Sequence, residues 1–221
     1  MITEELINDM IPALKKSDIA ENALIWMEEL KTNELPVVEG QQFSGLISED
    51  DILESNDLNK KIGDFILHGE SCFVYDYNHF FEAIRVLQEC NSEIIAVLNE
   101  KNKFLGVTTY QYLLQTFAGS ITIQSSGGIL ILSLKMYDYS LAEIGRLVES
   151  ESGRILGSYI TNHKDDESKI YLTLKINKED LTTVIATLER FGYQVIAKFH
   201  ESIGIGNEQE RLDNILKYLD I

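Results

Sequence analysis

The chain has 221 residues, 44% apolar and 25% charged, enough to bury a core in one large domain or two small ones. Its 36 acids against 19 bases give a net charge of −17, a field that repels nucleic-acid phosphates and acidic membrane surfaces and argues against both as partners. The longest nearly apolar run, residues 127–134 (GGILILSL), is far short of a membrane span, and the N-terminus MITEELINDM has neither a basic n-region nor an apolar h-region, so a cytoplasmic protein is expected.

The charge is uneven. Residues 1–120 carry 21 acids and 8 bases, net −13, and residues 121–221 carry 15 and 11, net −4, which places a domain boundary near Gly119. The first half reads as a repeat. Each copy opens on a hydrophobic residue, a spacer, an acid and an apolar pair: Ile7-Asn8-Asp9-Met10-Ile11, then Ile62-Gly63-Asp64-Phe65-Ile66. An amphipathic helical stretch follows, ENALIWMEEL and FEAIRVLQEC, with Ala23 matching Ala83 and Met27 matching Leu87. Next come a strand-like run, ELPVVE and EIIAVL, a polar turn, and a Gly-led apolar run into a helix, GLISEDDIL and GVTTYQYLL. Each copy therefore predicts β-α-β-β-α, over about residues 5–56 and 60–118. A copy of that size is too small to bury its own sheet, so the two should pack face to face about a pseudo-two-fold axis.

With ELPVVE and GLISEDD in these places, residues 5–118 resemble a CBS-domain pair (a Bateman module). The resemblance implies a cleft between the repeats that takes an adenosine-type ligand, with the acid of a Gly-x-x-Ser/Thr-x-x-Asp signature on the ribose and its hydroxyl near the phosphate. Because Glu49, Asp50 and Asp51 sit together and no Lys or Arg lies between Lys31 and Lys60, a weakly charged ligand, AMP or adenosine, is expected. Gly45, Ile47, Ser48 and Asp51 fit the signature, Leu35 and Pro36 lie in the strand before it, and Thr109 is the hydroxyl of the second copy. Tyr112 stands where the second copy's acid belongs, so at most one of the two family sites is chemically complete. A reading without a ligand stands beside this one. Ser48 is a favoured helix N-cap, Asp51 at the third helical position closes a capping box, and Glu49 and Asp50 suit the positive end of the helix. Thr109 caps the second helix in the same way, so capping explains both hydroxyls and requires neither acid.

The remaining side chains of the first half suggest packing. Cys72 and Cys90 lack metal spacing and are expected as free, partly buried thiols. Tyr75, Tyr77, Phe80 and Phe81, at the entry to the second copy's helix, are expected as core packing, with a stacking platform for adenine as the alternative, and Trp26 on the first helix as core or subunit contact.

After a linker over 119–127 the pattern changes. Residues 128–136 (GILILSLKM) predict a strand, 138–149 a helix, 154–161 a strand, 169–176 (KIYLTLKI) an alternating strand, 179–191 a helix capped by Asn177, and 193–200 a last strand. The order is βαββαβ, the split β-α-β or ferredoxin-like sandwich. With that layout residues 128–200 resemble an ACT domain. ACT domains that bind amino acids commonly have a glycine in the turn entering the first helix, where MYDYSLAEI offers Tyr139 or Ser140; the alternative is a homodimerisation module. A CBS pair followed by an ACT domain resembles proteins of the acetoin-utilisation type, although no residue here supports acetoin chemistry. Beyond lie a turn, SIGIGN, and a closing helix over 207–221.

No metal or catalytic constellation emerges. His68, His79, His163 and His200 are scattered, and the chain has no phosphate loop, nucleophile elbow or zinc helix. The expected class is an α+β regulatory or sensor protein, non-enzymatic, without cofactor and homodimeric. The alternative is a structural or interaction protein with decayed CBS and ACT sites.

Overall fold

The computed structural model describes residues 1–199. The SIGIGN turn, the closing helix expected over 207–221 and the final residue of the last predicted strand lie outside the described residues. The chain divides into two compact units, residues 1–118 and 119–221.

The N-terminal unit holds the repeat. The first copy runs β1 (Leu14–Lys15), α1 (Ala20–Leu30), β2 (Glu34–Glu39), β3 (Gln42–Ser48) and α2 (Glu49–Ser55); the second runs β4 (Phe73–Tyr75), α3 (Phe80–Cys90), β5 (Ile94–Leu98), β6 (Phe104–Thr109) and α4 (Tyr110–Ala118). The sheets are ordered β1-β2-β3 and β4-β5-β6, with the first pair parallel and the second antiparallel in each. Even the irregularities repeat. A register shift falls after Val37 opposite Gly45, and another after Val97 opposite Gly106. Both copies also end their long helix on a left-handed residue, Lys31 (φ 53°) and Asn91 (φ 51°), which turns the chain sharply into the next strand.

The copies meet about a pseudo-two-fold axis. Phe43 stacks on its counterpart Phe104 with ring centroids 6.3 Å apart, and Gln42 bridges Lys103. The copies also exchange their leaders. Leu6, in a 3-10 turn ahead of the first copy (Thr3–Leu6), is buried in the core of the second, and Ile62, in the matching turn (Ile62–Asp64), is buried in the core of the first. Each of these side chains contributes about 1.5–3 kcal/mol of burial, stabilisation that neither copy could make alone.

The cysteines are corrected. Cys72, just before β4, and Cys90, at the end of α3, are joined in a disulfide with Cα atoms 6.0 Å apart. They stand 18 positions apart, but the parallel pairing of β4 with β5 brings the start of β4 beneath the end of α3, a proximity that sequence spacing does not reveal. The aromatic cluster divides as well: Phe80 is buried, whereas Tyr77 and Phe81 are 55% and 63% exposed.

In the C-terminal unit, β7 (Gly128–Lys135), α6 (Leu141–Ser150), β8 (Ile155–Asn162), β9 (Lys169–Ile176), α7 (Thr182–Arg190) and β10 (Gln194–Phe199) form a four-stranded antiparallel sheet ordered β10-β7-β9-β8. Leu130, Leu132, Leu172 and Leu174 present one face of the sheet to Ile144 and Leu147 of α6 and Val184 and Leu188 of α7. Residues 119–127, expected as a linker, include a one-turn helix, α5 (Ile121–Gln124), and Thr122 donates from Oγ1 to the Leu156 carbonyl on β8 at 3.0 Å. The Asn177 cap is also corrected. Its Oδ1 accepts from the Arg154 N–H at 2.7 Å, so the side chain closes the sheet, and α7 begins only at Thr182, whose N–H donates to Asp180 Oδ1 at 2.9 Å.

Candidate functional site

Two cavities lie between the repeats, and the exchange of leaders shapes both. The strand carrying each Gly-led motif pairs with the leader of the other copy. Leu46 and His68 exchange backbone hydrogen bonds of 2.7 and 3.0 Å, and Asn8 N–H donates to Val107 O at 2.7 Å. The motif glycines permit this approach. A Cβ on Gly45, where φ is +137°, would stand 2.8 Å from the His68 carbonyl, and one on Gly106 would stand 2.5 Å from Ile7 Cγ2. The first residue of the signature thus answers a need of the fold before any ligand is considered.

In the first-copy motif the capping box is complete. Asp51 N–H donates to Ser48 Oγ at 3.1 Å, Ser48 N–H donates to Asp51 Oδ2 at 3.2 Å, and Ser48 Oγ donates to the same oxygen at 2.5 Å. His68, arriving from the second copy's leader, sets Nδ1 3.4 Å from Asp51 Oδ2 and Nε2 3.1 Å from Glu34 Oε1. A neutral imidazole can donate to only one of these carboxylates, whereas an imidazolium can donate to both. Glu34 then crosses to the second copy, where its Oε2 accepts from Ser92 Oγ and from the Glu93 N–H. Hydrogen bonds therefore join His68, Glu34 and Ser92 across the repeats, and the Ser48–Asp51 capping box stands 3.4 Å from His68 at the near end. Asp51 remains 41% exposed, and these contacts converge on one of its two oxygens.

The adjoining cavity, about 310 Å³, is lined by Asn33, Glu34, Ser48, Glu49, Asp50, Asn91 and Glu93. Four of these seven are acids and none is a cation, so the site disfavours a phosphate. The other expected residues of this copy lie deeper. Leu35 and Ile47 pair across β2 and β3 with their side chains in the core, and Pro36 is buried beside them.

The second-copy cavity is larger, about 500 Å³, within the range of small-molecule sites. Thr109 lies on its wall and caps α4, accepting from the Tyr112 N–H at 3.0 Å. Tyr112 packs against the second copy's core, so nothing with the chemistry of a carboxylate occupies that position. The lining also includes Asn8, Lys31, Ser92, Glu93 and Tyr110. Lys31 is placed there by the left-handed end of α1, and Asn91 takes the equivalent place at the first cavity. This one difference, lysine against asparagine, gives the second cavity a cation.

Sequence reasoning missed His68, Glu34, Glu93 and Lys31. A signal was present for the acids, since Glu34 and Glu93 open the aligned runs ELPVVE and EIIAVL. His68 and Asn8 correspond only in the structure, each pairing with the residue after a motif glycine, whereas the sequence alignment of the leaders sets Asn8 opposite Gly63; that the leaders cross over is a tertiary fact.

In the C-terminal unit a cavity of about 430 Å³ lies at the end of β7, beside Lys135, Asp138, Glu143, Lys169 and Tyr193. Ser140 caps α6 by accepting from the Glu143 N–H at 3.3 Å. Tyr193 donates to Glu143 Oε2 at 3.1 Å, and burial, followed by that hydrogen bond, raises the phenol above its ordinary value. Among the described residues, no three His, Cys, Asp or Glu side chains are grouped to hold a metal, and no helix is long and apolar enough to cross a membrane.

No protein-family model matches the chain. Among solved structures it is similar to a CBS domain pair/ACT domain protein from Thermotoga maritima, at 19% identity and TM-score 0.49, over 53% of this chain and 96% of that one. It is also similar to the CBS domains of a transcriptional regulator from Streptococcus pneumoniae, at 15% identity and TM-score 0.47, over 52% and 98%. A third is the CBS-pair protein CBSX2 from Arabidopsis thaliana, at 20% identity and TM-score 0.47, over 52% and 93%; CBSX2 has also been solved in complex with AMP. At these identities the likeness concerns the fold alone.

Proposed function

We propose that the protein is a cytoplasmic, non-enzymatic regulator whose N-terminal unit senses an adenosine-type ligand of low charge. In this reading its C-terminal unit is an ACT-like module that pairs two copies. The observation that carries the proposal is the composite nature of both cavities, each walled by the motif of one repeat and by residues of the other. A molecule in either one touches both halves of the pair, so binding favours one arrangement of the repeats over others and shifts a population. The resemblance of residues 45–51 to the CBS signature supplies the ligand class. Charge then divides the ligands: AMP belongs in the second-copy cavity, where Lys31 and Thr109 lie, and uncharged adenosine suits the acidic first-copy cavity, with Asp51 outside its lining but bonded to Ser48 on its wall. The proposal does not extend to acetoin chemistry, for which no side chain speaks.

A second reading, an interaction protein with decayed sites, is favoured by Tyr112 in place of an acid and by the exposed rings of Tyr77 and Phe81. Calorimetry with adenosine, AMP, ADP, ATP and S-adenosylmethionine separates the two. AMP should bind, Lys31→Ala should weaken AMP about tenfold while sparing adenosine, and Asp51→Ala should weaken adenosine. If no adenosine compound binds at millimolar concentration, the second reading replaces the first.

A further inference from the structure

The Cys72–Cys90 disulfide joins the two chain segments that frame the first-copy cavity. Four residues before Cys72 is His68, which faces Asp51 and Glu34. Immediately after Cys90 come Asn91 and Glu93, which line that cavity, and Ser92, which lines the other and holds Glu34. Gly69 and Cys72 form a tight turn, with Cys72 N–H donating to Gly69 O at 2.8 Å, so the bond anchors the His68 segment with little slack. On the other side, the turn at Asn91 is held by longer hydrogen bonds of 3.3 Å from the Asn91 and Ser92 N–H groups to Gln88 and Leu87.

The two sulfurs are unequal. Cys72 is 3% exposed in the second copy's core, whereas Cys90 is only partly buried at its edge. A disulfide in a cytosolic protein is more often a transient redox element than a permanent staple. We propose that Cys72–Cys90 is a thiol-exchange site whose oxidation state sets how firmly the walls of the first-copy cavity are held, and so the affinity of the paired repeats for their ligand. The first half of this statement rests on the cytoplasmic location proposed above and the second half on the sensor reading.

The chemistry balances with a small dithiol as reductant. One of its thiolates attacks Sγ of Cys90, the accessible sulfur, the Sγ–Sγ bond breaks, and Cys72 leaves as a thiolate that takes up a proton. The second dithiol sulfur resolves the mixed disulfide, releasing Cys90, so the dithiol loses two electrons and the protein gains two thiols. A disulfide of low molecular weight runs the sequence in reverse.

The full chain, oxidised with glutathione disulfide or reduced with dithiothreitol, tests both parts. Thiol titration after denaturation should count none in the oxidised sample and two in the reduced one. Amide hydrogen exchange should quicken at least tenfold over 68–72 and 91–94 on reduction and stay unchanged over 128–135. AMP and adenosine affinities, measured by calorimetry, should fall about fivefold on reduction, and the Cys72→Ser/Cys90→Ser variant should match the reduced chain under both conditions. A bond that dithiothreitol does not open in the native chain, or wall exchange equal in the two states, overturns the proposal. Quickened exchange with unchanged affinity overturns the coupling. If neither AMP nor adenosine binds either state, the sensor reading fails, and the exchange measurement alone decides whether the pair controls the walls.

Discussion

At the scale of single residues, two side chains carry testable energies. Thr108 on β6 is fully buried, and among the described residues its hydroxyl finds no hydrogen-bond partner. Its counterpart in the first copy is Ile47, an apolar core residue. A buried polar group without a partner costs about 1–3 kcal/mol, so Thr108→Val, which keeps the shape, should stabilise the N-terminal unit by about 1 kcal/mol in urea unfolding. A loss of stability would mean that the hydroxyl is satisfied. The second is Glu151, at the end of α6, whose Oε1 accepts from Thr187 Oγ1 on α7 at 2.7 Å. That hydrogen bond holds the carboxyl below its ordinary value of 4.5. A depressed folded-state value means that stability is fully present above pH 4.5 and is lost as the pH falls through the folded value. Glu151→Gln can still accept the bond but does not titrate. The wild type should therefore lose more melting temperature than Glu151→Gln between pH 6 and pH 3, and parallel curves would show the bond to be without effect.

At the scale of elements, the motif strands β3 and β6 show what a sequence can and cannot reveal. The offset between GLISEDDIL and GVTTYQYLL was legible because hydrophobic spacing and turn residues repeat locally. Capping by Ser48 and Thr109 was legible for the same reason, since an N-cap involves residues only three apart. The crossing of the leaders was not, because it pairs residues more than twenty positions apart through backbone groups that any sequence carries. The disulfide was hidden for a related reason: the pairing of β4 with β5, and not the spacing of the two cysteines, brings them together. Asp51 shows the divide within one side chain: its bonds to Ser48 were predictable, and its approach to His68 was not. The crossing explains Gly45 and can be tested there. Gly45→Ala combines a backbone angle that L residues avoid with a Cβ 2.8 Å from the His68 carbonyl, and neither the strand nor the leader can yield without losing their mutual hydrogen bonds. A cost of at least about 2 kcal/mol is expected. A cost below about 0.5 kcal/mol in chemical denaturation would mean that the leader does not cross at β3.

At the scale of the whole chain, two units of different charge share one polypeptide. The compositional change near Gly119 and the division of the structure after Ala118 coincide because each unit closes its own core: Leu6 and Ile62 knit the repeats together within the first, and α6 and α7 cover one face of the sheet within the second. Residues 1–120 carry net −13 and residues 121–221 only −4, so self-repulsion weighs mainly on the N-terminal unit. It concentrates where the first-copy cavity gathers Glu34, Glu49, Asp50 and Glu93 without a cation. Repulsion of this kind acts between charges many ångströms apart and is screened once the Debye length drops below their separation, from roughly 30 Å at 0.01 M salt to roughly 8 Å at physiological ionic strength. Close pairs such as Lys16 with Glu39 are exposed and contribute little, so screening them removes little. Raising sodium chloride from 10 to 300 mM should therefore raise the calorimetric transition of the N-terminal unit by several degrees and move a transition of the C-terminal unit much less. If the two shift together, the units unfold as one cooperative body; if the N-terminal transition falls with salt, attractive pairs outweigh the net charge there.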